Sequence, residues 1–146
     1  MRAVVQRVSR ASVTVDGTVS GSIGPGLLAL VGIRRGDDEA AGRWLCDKLL
    51  RLRIFDDGQG KMNRTVAEAG GGILLVSQFT LYGDVRKGNR PGFDEAAPPE
   101  EAEPLYDRMV AYLRETAAIP VASGRFRTEM SVELVNEGPV TILLER

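Results

Sequence analysis

Histidine is absent from the chain. That excludes Ser-His-Asp and Cys-His triads, His-ligated metal sites and an imidazole general base. In any reaction near neutral pH, protons must then move through a carboxylate, a hydroxyl, an amine, water or the substrate itself. The single cysteine, Cys46, cannot form an internal bridge or a multi-thiolate zinc site, and it reads as a small buried apolar residue in a reducing compartment. Lysine is scarce, with only Lys48, Lys61 and Lys87 against sixteen arginines. The excess of arginine suits forked phosphate contacts, although biased codon usage produces the same excess. With 19 basic and 20 acidic residues the net charge is −1, so no global positive field advertises nucleic-acid binding, and any such contact must be a local patch. The longest strongly apolar run, Leu27 to Val31, is too short to span a bilayer. Met1-Arg2-Ala3-Val4-Val5 runs directly into a strand pattern without the basic and apolar segments of a secretory signal. The expected location is the cytoplasm, with neither a membrane nor DNA as a partner.

What is present fits one ordinary domain spanning residues 1–146, with 43% hydrophobic and 27% charged residues. A chain of this length can bury about two-thirds of the surface its unfolded form exposes, so it needs no metal or disulfide staple. Residues 2–8 and 11–15 read as strands, the second alternating Ala11, Val13 and Val15 with Ser12 and Thr14. Asp16-Gly17 closes a hairpin onto a strand from Val19 to Ile23. Leu27 to Ile33 is apolar almost throughout, as in a strand covered on both faces.

Asp37 and Asp38 can cap a helix whose Ala41, Trp44, Leu45, Leu49 and Leu52 form a core-facing stripe. Asp56-Asp57-Gly58 is a turn, and a polar stretch continues to Gly72 before Ile73 to Val76, the expected central strand. A loop from Asp84 to Pro99 precedes a second amphipathic helix over about residues 100–117, where Pro104 is tolerable only near the first turn. Met130 to Leu134 and Val140 to Leu144 are the closing strands, with Gly138-Pro139 as an interrupting corner. The expected fold is α/β: a single layered domain with a β-rich, partly barrel-like body and two main helices, in the order β-β-β-α-β-α-β-β-β.

Three segments carry polar residues that propensity leaves unexplained. Ser77-Gln78-Phe79-Thr80 ends an apolar strand, and the adjacent N–H groups of Phe79 and Thr80 could hold the oxyanion of an attacked ester; a plain Ser/Thr turn is the alternative. Asn136-Glu137-Gly138-Pro139-Val140-Thr141 lies between strands and is either a simple turn or a rigid corner with unusual carbonyl directions. Arg86, Lys87 and Arg90 sit on a glycine-containing loop that could track phosphates or simply be a solvated charged loop. Glu100-Glu101 and Asp37-Asp38-Glu39 sit where acidic residues stabilise helix N-termini, which accounts for them without catalysis.

Together these segments resemble the D-aminoacyl-tRNA deacylase family. The likeness runs nearly end to end, through Met1 to Val8, Leu52-Arg53-Ile54-Phe55, Gly60-Lys61-Met62-Asn63, Ser77-Gln78-Phe79-Thr80-Leu81, Gly88-Asn89-Arg90-Pro91 and Asn136 to Thr141. The pairing of Ser-Gln-Phe-Thr with Asn-Xaa-Gly-Pro-Val-Thr in this order is its most specific mark. The resemblance implies a cofactor-free, metal-free homodimeric hydrolase. Its substrate would be the ester joining a D-amino acid, or glycine, to the terminal adenosine of tRNA.

The resemblance further implies that Gly138 and Pro139, joined by a cis bond, reach into the partner's active site as a chirality screen supported by Arg7. Phe79 and Thr80 would be catalytic through their backbones, Ser77, Gln78 and Met130 would shape the substrate site, and Arg86, Lys87 and Arg90 would contact tRNA. The 2′-hydroxyl of the terminal ribose would assist attack by water. The sequence departs from the family after Gly124-Arg125-Phe126, where Arg127 and Thr128 replace the usual Gly-Ala. Two rival functions follow from the same residues: a noncatalytic dimeric tRNA-binding module, and a small-ester hydrolase with Thr80 as nucleophile.

Overall fold

The computed structural model describes every residue from Met1 to Arg146. Its elements are β1 (Arg2–Val15), β2 (Thr18–Ile23), β3 (Gly26–Gly32), α1 (Glu39–Arg51), β4 (Phe55–Asp56), β5 (Met62–Arg64), β6 (Gly72–Ser77), a 3-10 helix (Phe79–Tyr82), α2 (Pro99–Thr116), β7 (Val121–Ser123) and β8 (Ser131–Glu145). The result is a mixed α/β domain in which two helices pack on a nearly closed, barrel-like sheet. β8 follows one edge of β1 along most of its length, while β3 and β2 pair with the N- and C-terminal halves of β1. β6 adds parallel to β3 and β7 parallel to β6, so α1 and α2 are the crossover helices.

Period-two side-chain alternation divides the core. Leu27, Ala29 and Val31 of β3 and Ile73 and Leu75 of β6 join Leu45 and Leu49 of α1 and Leu105, Met109 and Leu113 of α2. Leu28, Leu74 and Val76 face the other way and pack with Val8, Val13 and Ile23. Each such fully buried aliphatic side chain contributes about 1.5–3 kcal/mol relative to exposure. This is why β3 and β6 read as unbroken apolar runs.

Two glycines permit the close approaches of the barrel. A Cβ on Gly26 would lie 2.0 Å from the Gly72 oxygen, where β3 meets β6. A Cβ on Gly21 would lie 2.6 Å from the Ser123 oxygen, at the seam between β2 and β7.

Several expectations need correction. Residues 2–8 and 11–15 form one continuous strand, because the ladder to β8 carries through a register shift between Val8 and Arg10. Gly138-Pro139 does not end a strand either. Gln6 pairs with Thr141 and Val8 with Asn136, so Glu137 to Val140 bulge opposite Arg7 within β8. The polar stretch that begins at Phe55 contains the short hairpin β4–β5, and β7 is a strand that the sequence pattern did not indicate.

Asp38 caps α1, accepting the Ala41 N–H at 2.8 Å, while Asp37 instead accepts from the Met1 amine and the Arg34 N–H. Trp44 is half-buried against the main core. Pro104 lies beyond the first turn of α2, contrary to the expectation; burial of Leu105, Tyr106, Met109 and Leu113 carries the helix past its missing N–H. No helix is long and apolar enough to cross a membrane.

Candidate active site

The carboxyl ends of the parallel strands β3 and β6 open into a cavity of about 610 Å³. Ligands of open α/β sheets bind at this end because the chain leaves each strand there and its loops are free to diverge. Val31 and Val76 line its apolar part, followed by Ser77, Gln78 and Phe79. The Gln78 N–H donates to the Val31 oxygen at 2.7 Å, the last rung before the chain turns into the 3-10 helix. The Phe79 and Thr80 N–H groups open that helix, where the first turn supplies no intrahelical acceptor. They are adjacent, untitratable donors; Phe79 lines the cavity and Thr80 is the next residue along the turn.

Two other segments complete the walls. One is the stretch before α2, where the Ala97 N–H donates to the Ile33 oxygen at 2.9 Å and holds Phe93, Ala96 and Pro98 against β3. Phe93 meets Phe79 edge-on with ring centroids 5.0 Å apart, forming an aromatic rim on which Phe79 is 57% exposed. The other runs from Phe126 to Met130. A Cβ on Gly124 would come within 2.8 Å of the Met130 sulfur, so the glycine makes room for Met130 to pack there. The Arg127-Thr128 departure therefore does border the cavity.

Thr80 is exposed and does not line this cavity. Its hydroxyl oxygen accepts from the Gln78 side-chain amide. An amide donor cannot take the hydroxyl proton, so the contact does not activate a nucleophile.

Gly138 and Pro139 are exposed and lie outside the cavity of their own chain. Their peptide bond is trans, which corrects the expectation of a cis bond. The corner is shaped instead by Gly138 at φ +114°, a conformation open to glycine alone. Arg7 braces it, donating through Nε to the Glu137 oxygen at 3.1 Å and through Nη1 to the Ile54 oxygen at 2.6 Å. Beside the corner, the Thr141 hydroxyl donates to the Gln6 side-chain oxygen, and Asn136 Oδ1 is buried without a partner.

Reciprocal bonds between Asp84 and Gly92 close the neck of the basic loop. Arg86 is not free there. It forks onto the Asp84 carboxylate at 2.9 and 2.8 Å, and its hydrogen bonds pull that carboxyl down to about 2. Lys87 and Arg90 are exposed and belong to no ion pair. The residues that sequence reasoning missed are Arg35, Phe93, Phe126 and Glu129, all on the cavity wall. Phe93, following Pro91-Gly92, was the one legible signal among them, as an aromatic in a polar loop.

A cavity at the carboxyl ends of parallel strands, in a chain without histidine, defines a site whose chemistry must run without an imidazole. The family model for D-Tyr-tRNA(Tyr) deacylase matches residues 4–145. The D-aminoacyl-tRNA deacylase of Symbiobacterium thermophilum is 63% identical over 145 residues, covering 99% of this chain and 95% of that protein. The enzyme of the same name from Anaeromyxobacter dehalogenans is 61% identical, covering 99% and 97%. A solved structure described as c-Myc DNA Unwinding Element Binding Protein superposes with a TM-score of 0.94 at 44% identity, covering 100% of this chain and 99% of that one. A probable eukaryotic D-amino acid tRNA deacylase, at 22% identity and a TM-score of 0.81, covers 98% and 97% and shares the fold. The chain belongs to the D-aminoacyl-tRNA deacylase family, a family of enzymes.

Proposed function

We propose that this protein hydrolyses the ester of D-aminoacyl-tRNA, and of glycyl-tRNA by the same route, releasing free tRNA and the amino acid. The observation that carries the reading is the strand-to-helix turn at the end of β6, where the Phe79 and Thr80 N–H groups open the 3-10 helix in a chain without histidine. As water attacks the ester carbonyl, negative charge grows on its oxygen, and two fixed donors stabilise that charge without any change in protonation. An aminoacyl ester is already activated. Holding it beside a water oriented by the ribose 2′-hydroxyl supplies much of the remaining acceleration. Ser77, Gln78 and Met130 shape the site, and Lys87 and Arg90 contact the tRNA backbone, while Arg86 must first exchange Asp84 for a phosphate.

The active form is a homodimer in the cytoplasm, in which the Gly138-Pro139 corner of one protomer blocks the L-side-chain direction in its partner's cavity. Support comes from the corner's exposure, its absence from its own cavity, the orphaned Asn136 oxygen beside it and the 74% exposed Leu143 on the same strand. D-amino acids share only the stereochemistry at Cα, so a wall of main chain can act on all of them by exclusion. Glycine has no side chain to clash and passes.

The test is the rate of deacylation of D- and L-aminoacyl-tRNA by purified protein without added metal or nucleotide. Rapid cleavage of the D form with the L form spared is expected. Equal cleavage removes the screen, and salt-sensitive tRNA binding with no cleavage makes the protein a binding module. A substrate with a terminal 2′-deoxyadenosine should react much more slowly, and unchanged turnover there removes the ribose assistance. The Thr80-nucleophile reading requires a trappable acyl-enzyme that Thr80→Ala abolishes.

A further inference from the structure

We propose that Arg127 is a specificity-determining residue that binds the phosphodiester nearest the scissile ester, working with Arg35 across the same cavity. The inference rests on the aminoacyl-tRNA reading above. Arg127 occupies a left-handed backbone conformation, φ +57°, at one of only two non-glycine positions with positive φ. Glycine takes that conformation freely, whereas a residue with a Cβ is disfavoured there by about 1–2 kcal/mol. This chain therefore carries an arginine in a conformation that a glycine would adopt without strain. Strain of this kind at a cavity wall points toward function.

The charge pattern identifies the ligand. Neither Arg127 nor Arg35 takes part in any of the ion pairs, although both line the cavity. Arg35 spends its Nε on the Asp94 oxygen at 3.0 Å, leaving its terminal nitrogens available. An esterified amino acid has no free carboxylate for a guanidinium, and its α-ammonium is repelled by one. The nearest anion along such a substrate is the phosphodiester on the 5′ side of the terminal nucleoside. Glu129, on the same wall and also unpaired, supplies the opposite sign for the ammonium. A cavity of about 610 Å³ is of the size that holds an acylated nucleoside, with a phosphate at its rim. A planar guanidinium can take that phosphate by two parallel bonds, which fixes register as well as affinity.

The test compares two D-aminoacyl esters: one on adenosine, without phosphate, and one on a short oligonucleotide ending in the same adenosine. The enzymes are the wild type, Arg127→Gly and Arg127→Lys. The expected result is that Arg127→Gly raises KM for the oligonucleotide ester about fivefold to tenfold more than for the adenosine ester, with kcat changed little. The salt dependence of kcat/KM for the oligonucleotide ester should become shallower by about 0.7 in log–log slope, as for one lost single-strand phosphate contact. Arg127→Lys should recover part of both, because it restores the charge without the fork. Circular dichroism and thermal melting check folding, and Arg127→Gly should melt no lower than the wild type, since glycine relieves the left-handed strain. Equal KM effects on the two esters, or an unchanged salt slope, overturn the inference while leaving the deacylase reading intact. Intact D-aminoacyl-tRNA is run alongside: a wild type that cleaves it but neither truncated ester overturns the inference alone, and one that leaves it uncleaved overturns both.

Discussion

Replacing Gly138 with alanine tests the corner and its brace together. The new Cβ would sit 2.3 Å from Arg7 Nη2 and 3.0 Å from Val140 Cγ2, on a residue held at φ +114°. Holding an L-residue in that sparsely populated region costs about 1–3 kcal/mol. The guanidinium must also move, although bonds to the Ile54 and Glu137 oxygens pin it. Losing those charge-assisted bonds adds about 1–2 kcal/mol, discounted for the exposed one. Gly138→Ala should therefore destabilise the fold by about 2–5 kcal/mol, and by about 1–2 kcal/mol less when Arg7 is already alanine. The assay is a double-mutant cycle by urea denaturation, with D- and L-aminoacyl-tRNA deacylation measured on each folded variant. Both single variants should lose discrimination between the enantiomers by admitting the L form or displacing the wall. Stability losses that add to within about 0.3–0.5 kcal/mol would refute the bracing argument. Full discrimination in Gly138→Ala would refute the screen.

Three further outcomes follow from the packing and the charges. Burial pushes the Cys46 thiol from its ordinary 9.0 up to about 12, and burial also raises the Tyr82 hydroxyl to about 12. A folded value above the unfolded one gives stability that is fully present below about pH 9 and lost as pH climbs toward about 12, at up to about 1.4 kcal/mol per pH unit for Cys46. Urea titrations at pH 8 and 10.5 should show this decline, and Cys46→Ala should reduce it; a flat profile contradicts the assignment. On the basic loop, Lys87→Ala and Arg90→Ala should each reduce the log–log salt slope of tRNA binding by about 0.7–0.9, and Arg86→Ala by less. Equal effects would show that the Arg86–Asp84 fork does not persist in solution. Gly26→Ala should cost more than about 4 kcal/mol, because its Cβ meets Gly72 backbone at 2.0 Å, while Gly24→Ala, with nothing within 4 Å, should stay within about 0.5 kcal/mol. Thermal melts of the two variants decide it.

Local pattern made the helices and the central strands legible, since burial of a stripe or of both strand faces leaves a periodic mark. The Asp38 cap, the α2 stripe and the two-faced β3 run were visible for that reason. Pairing partners leave no such mark. Whether Gly138-Pro139 ends a strand or bulges within one depends on β1 continuing opposite it, and Arg7 alone does not disclose that it stands opposite Glu137 to Val140. The same logic governs the site. Ser77 to Phe79 were recognisable because polar residues ended an apolar strand, yet their cavity exists only where the Phe93–Pro98 stretch and the Phe126–Met130 segment converge on them.

Such convergence is a tertiary fact, so sequence could nominate the donors but not the wall facing them. The missing histidine narrowed the chemistry to groups that need no titration. Main-chain N–H groups meet that requirement at any residue identity, which is why the catalytic role proposed for Phe79 and Thr80 rests on the turn they occupy rather than on their side chains. Thr80→Ala should accordingly keep most of the deacylase activity, whereas a substitution that unwinds the 3-10 helix should abolish it.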